Sequence, residues 1–199
     1  NKDFLQRKGE SRYARTLELP ANRGKVTDRH GDTLATSSAV KSIVAIPDLT
    51  KVSPAEVTQL ARALEIDSRE IRRKLDSGKD YVFIAREVSP EVAERVLALK
   101  LPGIQAQPEY RRYYPSGEMA SHLVGFTNVD DRGQEGIELA FNADLTGKAG
   151  SRRVIQDRRG QIVEDVETIQ RPQDGHDIQL ALDAKIQYLA YSALKQAVQ

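Results

Sequence analysis

The stretch Arg23-Gly24-Lys25-Val26-Thr27-Asp28-Arg29-His30-Gly31-Asp32-Thr33-Leu34-Ala35 reads as a strand, a tight turn and a second strand. Asp28 to Gly31 carries the Asp and Gly that turns demand, with glycine supplying a positive φ without steric cost. Working outward, Thr16-Leu17-Glu18-Leu19 alternates upstream, and Ser42-Ile43-Val44-Ala45-Ile46 is a β-branched run ended by Pro47. Residues 16–46 therefore favour strands.

The next segment changes period. Ser53-Pro54-Ala55-Glu56 combines a cap, a first-turn proline and a glutamate at the third position, and Val57, Leu60, Ala61 and Leu64 follow on one face. A second helix is expected from Asp67 or Ser68, with Ile71 and Leu75 inward and Gly78 as its stop. Tyr81 to Ala85 reads as a short strand, and Ser89-Pro90-Glu91 opens a third helix that closes at Leu101-Pro102-Gly103. From Tyr110 the chain is loop-rich. A short helix is expected through Met119, Leu123 and Val124, and another over 136–145 with Ile137, Ala140, Phe141 and Leu145 inward. A hairpin follows, with Arg152–Gln156 and Gln161–Val166 about a turn at Asp157–Gly160. After a linker at Pro172–Gly175, a strand at 177–183 leads into a helix capped by Asp183, with Ile186, Leu189, Ala190, Ala193, Leu194 and Ala197 inward. The expected fold class is α+β.

Composition narrows the function. The formal net charge is +1, with acids and bases interleaved and no Trp, so the basic stripe and stacking aromatics of a nucleic-acid binder are missing. Cysteine is absent, which removes disulfides, thiolate catalysis and Cys-based zinc sites. His30, His122 and His176 share no ligand spacing, so no metal is expected, and without a Gly-x-x-x-x-Gly-Lys-Ser/Thr or Gly-x-Gly-x-x-Gly motif no nucleotide cofactor is expected either. No apolar run approaches the roughly 20 residues of a membrane span. The first 23 residues carry six Lys or Arg against three acids, which suits either a membrane-proximal segment or a solvated terminus.

Catalytic patterns fare poorly. An acyl-serine enzyme of the penicilloyl type needs Ser-x-x-Lys at a helix start together with Ser-x-Asn and Lys-Thr-Gly. Ser38-Ala39-Val40-Lys41 lies in a β-rich stretch, where i and i+3 face opposite ways. Ser192-Ala193-Leu194-Lys195 lies deep inside a helix, and the chain contains no Ser-x-Asn and no Lys-Thr-Gly. No catalytic residue is assigned in this chain. Tyr110, Tyr113 and Tyr114, beside Arg111 and Arg112, would either stack on a glycan or a partner or wedge two subdomains together. In the second case the arginines would cap helix carbonyls or pair with Asp28 and Asp157.

A larger ordered pattern remains. After the opening stretch come Arg112-Tyr113-Tyr114-Pro115, Gly125-Phe126, Gly133-Gln134-Glu135-Gly136-Ile137-Glu138, and Leu145-Thr146-Gly147-Lys148-Ala149-Gly150. In that order and spacing the chain resembles the N-terminal, non-penicillin-binding module of class B penicillin-binding proteins, most like the division-specific peptidoglycan transpeptidases. The motif positions it carries are Arg23, Gly24, Asp28, Arg29, Gly31, Arg112, Tyr113, Pro115, Gly125, Glu135, Gly136 and Glu138, with His30 where Asn or Ser is more usual.

The resemblance implies a membrane-proximal segment at 1–22, a pedestal module at 23–170 with an inserted head at 48–110, and at 171–199 a linker plus the first strand and helix of a transpeptidase domain. Segments like 23–46 and 150–168 would pair. It further implies a parent D,D-transpeptidase that crosslinks septal peptidoglycan and is a β-lactam target. That parent would be anchored in the inner membrane by a single upstream helix, facing the periplasm, with its serine nucleophile beyond residue 199. Implied partners are its own transpeptidase domain, a SEDS-type glycosyltransferase, other division proteins and peptidoglycan. The alternative is a stand-alone periplasmic module that binds glycan through the three tyrosines, or binds protein.

Overall fold

The computed structural model describes residues 14–156 and 162–198. They form an α+β fold divided into two units, each assembled from segments far apart in sequence. One unit contains Val40–Glu109, Ser151–Arg171 and the strand ending at Leu19; the other contains Pro20–Ala39, Tyr110–Gly150 and Pro172–Gln199.

In the first unit, strands β1 (Ala14–Leu19), β6 (Gly150–Gln156) and β7 (Ile162–Gln170) form a sheet in the order β1-β6-β7. In the same unit the second half of β3 (Thr33–Ala45) pairs antiparallel with β4 (Val82–Val88), setting Val44 opposite Phe83. Helices α1 (Pro54–Leu64), α2 (Ser68–Leu75) and α3 (Pro90–Ala98) supply the rest of the core, in which Ile43, Leu60, Ile71, Ile84, Val96 and Ile104 are buried. The capping box is present: Ser53 Oγ accepts from Glu56 N at 3.3 Å and Glu56 Oε2 accepts from Ser53 N at 2.6 Å. Asp67 and Ser89 cap the next two helices. Helix α2 ends at Leu75, with Asp76 as its C-cap, and Gly78 (φ 69°) falls in the turn that follows.

Two departures stand out. Strand β5 (Ile104–Tyr113) was not expected, because its glutamines and internal Pro108 lack the β-branched alternation of a strand. It nevertheless pairs with β3, and polar groups join the neighbouring strands: Glu109 accepts from the Ser42 hydroxyl and from Arg86 Nη2, the latter at 2.8 Å. The implied pairing of 23–46 with 150–168 is also not what forms. β6 pairs with β7 on one side and β1 on the other, whereas β3 takes β2, β4 and β5 as partners. The turn expected at Asp157–Gly160 lies outside the described residues.

In the second unit, β2 (Val26–Thr27) pairs antiparallel with the start of β3, Val26 opposite Ala35, and parallel with β8 (Ile178–Gln179), Val26 opposite Ile178. A 3₁₀ turn at Gly117–Ala120 leads into α4 (Ser121–Val124); α5 (Gly136–Ala140) and α6 (Asn142–Leu145) follow, and α7 (Ala184–Val198) closes the chain. Val26, Leu34, Ala35, Ala120, Val124 and Leu145 form this core.

The single helix expected over 136–145 is broken at Phe141 (φ −110°, ψ 25°). That break reorients the faces. Ala140 and Phe141 are exposed and Ile137 is only half-buried, while Glu138 takes the inward position beside Leu145. The inner face expected for α7 is likewise uncovered, since none of its residues is buried among the described ones.

Candidate functional site

Glu138 is the centre of the second unit's polar chemistry. Its carboxylate is completely buried and takes one arginine on each oxygen: Arg23 Nε at 2.7 Å on Oε2 and Arg112 Nε at 2.8 Å on Oε1. The three residues come from distant places. Arg23 precedes β2, Arg112 lies near the end of β5 between the exposed Arg111 and Tyr113, and Glu138 sits in α5. Strand alternation turns Arg112 inward while its neighbours face out.

Arg23 spends its whole fork. Besides Nε, Nη1 donates to Asp131 O at 2.9 Å and Thr146 Oγ1 at 2.8 Å, and Nη2 donates to Glu138 O and Asn142 Oδ1, both at 3.0 Å. Asn142 Oδ1 accepts a further bond from Gly133 N at 2.9 Å, tying the 133–142 loop to the same guanidinium. Arg112 Nη1 donates to Ser37 Oγ at 3.1 Å and weakly to Arg23 O at 3.4 Å; its Nη2 is buried without a protein partner. Such a network favours the planar fork of arginine over lysine. Two guanidinium groups face one carboxylate, so the buried cluster carries one excess positive charge. Its carboxylate has no free oxygen for a substrate proton, and guanidinium groups do not act as bases at physiological pH. The cluster can bind segments together; it cannot run acid–base chemistry.

The turn forms a second polar centre. Asp28 is buried, with Oδ1 accepting from His30 N at 2.8 Å and Asp32 N at 2.9 Å, and Oδ2 accepting from Ala184 N at 3.1 Å at the start of α7. Burial pushes its carboxyl up, but these three backbone donors and nearby His30 outweigh that and hold it below the usual range. His30 Nε2 lies 3.0 Å from Asp183 Oδ2, and Arg29 N donates to Leu182 O at 2.8 Å. Asp183 is held low chiefly by the Ile186 backbone N–H and then by His30. Gly31 has φ 89°, and at Gly24 a Cβ would meet His176 O at 2.0 Å.

The remaining motif positions are spread out. Gly125 (φ 76°) and Gly136 (φ 59°) pack backbone to backbone beside Glu135, whose own side chain is half-exposed. Pro115 is exposed. Of the tyrosines, Tyr114 is partly buried against the core and its hydroxyl accepts from Thr127 N at 2.9 Å, whereas Tyr113 is 60% exposed. The arginine partners expected from the residues alone are corrected here: Asp28 is occupied by backbone amides, Arg112 pairs with Glu138, and Asp157 lies outside the described residues. Asn142 and Ser37 carry no motif, and Thr146 entered only as a position within the Leu145–Gly150 block; none was singled out as a site residue, and folding alone recruits them. Among the described residues no group of three His, Cys, Asp or Glu could hold a metal ion, and no helix is long and apolar enough to cross a membrane.

Residues 18–180 match the family described as the penicillin-binding protein dimerisation domain. The chain is 40% identical over 202 residues to the probable peptidoglycan D,D-transpeptidase PenA of Neisseria gonorrhoeae, covering 99% of this chain and 35% of that protein. It is 39% identical over 203 residues to the peptidoglycan D,D-transpeptidase FtsI of Escherichia coli K12, covering 98% and 34%. The chain thus spans about a third of the length of these relatives. Among solved structures, the penicillin-binding protein PBP2 of Helicobacter pylori, in its complex with MreC, aligns over 92% of this chain and 38% of its own with a TM-score of 0.68 at 20% identity. Penicillin-binding protein 2X of Streptococcus thermophilus aligns with a TM-score of 0.60 at 24% identity, over 92% and 31%. At those identities the likeness concerns the fold.

Proposed function

This chain belongs to the penicillin-binding protein dimerisation-domain family, and from that membership we propose that it is the non-catalytic scaffold and partner-docking module of a peptidoglycan D,D-transpeptidase that crosslinks septal wall. In this reading residues 1–22 are membrane-proximal, 23–170 are the module with its head at 48–110, and 171–199 lead into the catalytic domain. The parent is held in the inner membrane by a single helix upstream, with the module facing the periplasm. Its docking partners are a SEDS-type glycosyltransferase and other division proteins, with peptidoglycan itself as a further candidate through the exposed Tyr113.

The observation that carries the scaffold role is the buried Arg23–Glu138–Arg112 cluster. It gathers three motif segments into one rigid node and offers no reactive group. Helix α7 adds support, because Ile186, Leu189 and Leu194 are 64–67% exposed and make an apolar face suited to packing against a further folded body.

The test uses native membranes labelled with a fluorescent penicillin and captured with an antibody raised against this chain. A labelled band well above 22.2 kDa is expected. A captured band that takes no label would remove the transpeptidase reading and leave a stand-alone binding module.

A further inference from the structure

Helix α7 has no buried residue, so apolar packing alone does not fix its rotation. Polar contacts do. Asp183 caps its N-terminus, with Oδ1 accepting from Lys185 N at 3.0 Å and Ile186 N at 3.2 Å, and Asp28 holds Ala184 N. One turn on, Gln187 Nε2 donates to Met119 O at 3.0 Å. Beyond that, a single carboxylate grips two successive turns: Glu118 Oε2 accepts from Tyr191 Oη at 2.7 Å and Lys195 Nζ at 2.8 Å. Lys195 also sits 5.5 Å over the Tyr191 ring. This is the lysine of the second Ser-x-x-Lys match, and its amine is engaged by Glu118.

We propose that Glu118 is a positioning residue that sets the rotation of α7, and hence the direction in which Ile186, Leu189 and Leu194 face the catalytic domain. The proposal rests on the reading that α7 opens that domain. Residues 191 and 195 lie on one face of the helix, so a carboxylate bonded to both resists turning about the axis. With one of the two contacts gone, only the other, the Gln187–Met119 bond and the N-terminal caps would oppose that turning. The apolar face lies at other angles around the helix and is the part left for the domain that follows. A misrotated α7 would present that face out of register, and the cost would appear in how fast the distant serine is acylated.

The experiment uses the full-length membrane enzyme and follows the rate of acylation by a fluorescent penicillin, the final extent of labelling and the thermal midpoint. Glu118→Gln and Lys195→Met should each slow acylation by about threefold, the scale of a largely solvated charge contact, the Lys195 and Glu118 side chains being 52% and 74% exposed, with the extent unchanged and the midpoint lowered only slightly. The double variant should be no slower than Glu118→Gln alone, since that change already removes the charge with which Lys195 pairs. The reciprocal exchange Glu118→Lys with Lys195→Glu should recover most of the rate. Unchanged rates in both single variants, or slowing that simply follows a lowered midpoint, would overturn the proposal. A wild-type parent that takes no label would instead defeat the transpeptidase reading beneath it, so the two failures are distinct.

Discussion

Glu138→Gln would leave the guanidinium groups of Arg23 and Arg112 buried at 0% and 2% side-chain exposure without a counter-charge. Breaking a buried pair from one side costs about 3–5 kcal/mol, far more than the intact pair contributes, because the orphaned charge stays desolvated. The expected result is a lower urea midpoint with secondary structure retained at zero denaturant. Glu135→Gln is the control: its side chain is half-exposed and lies 3.8 Å from His122, so a change within about 0.5 kcal/mol is expected. Equal midpoints for the two variants would show that Glu138 is not the node. The family resemblance put Arg23, Arg112 and Glu138 on one roll of motif positions, but nothing in the residues said that they meet. Helical periodicity pointed the other way, because it turned Ala140 and Phe141 inward and left Glu138 out. A buried ion cluster has no sequence period; it exists only once segments 115 residues apart are brought together.

Elements whose signals are local were legible, and those that depend on distant partners were not. Ser53-Pro54-Ala55-Glu56 gave the start of α1 because cap, proline and glutamate act within four residues. Ser53→Ala should therefore cost about 1 kcal/mol, read from the thermal midpoint, and a neutral result would mean that Glu56 alone satisfies the helix start. The turn at Asp28–Gly31 was legible for the same reason. Gly31 has φ 89° with open space where a Cβ would stand, so Gly31→Val is penalised by backbone strain alone, about 1 kcal/mol or more. Gly31→Asn, which tolerates a positive φ better, should recover part of that loss; equal losses would point to a cause other than φ. Strand β5 had no local signal, since its stability comes from β3 and from the Ser42–Glu109–Arg86 contacts. Helix α7 was read correctly as a helix and wrongly as covered, because amphipathicity marks a face that seeks a partner and does not say whether that partner lies within the same 199 residues.

At the scale of the whole molecule, three carboxylates of the second unit, Asp28, Asp183 and Glu118, are shifted in the same direction. Asp28 is lowered by backbone donors against the opposing effect of its burial, Asp183 by the Ile186 N–H and His30, and Glu118 by Lys195 and Tyr191. Their unfolded references are 3.8 for Asp and 4.5 for Glu. A folded value below the unfolded one means that the native state binds fewer protons in that window. The stabilisation is then complete above the unfolded value and is lost as pH falls through the folded one. The thermal midpoint should accordingly be insensitive to these groups between about pH 6 and 8 and should fall below about pH 4. Since Asp28 and Asp183 both hold the start of α7, its amides should lose protection from exchange ahead of those in β3. Asp28→Asn should lower the midpoint at neutral pH and shallow the acid decline, because the substituted side chain has no proton to gain. An acid decline as steep in Asp28→Asn as in the wild type would place the acid-labile carboxylates elsewhere, with Glu56 and Glu70 of the first unit, also held low by Ser53 and Lys74, the next to substitute.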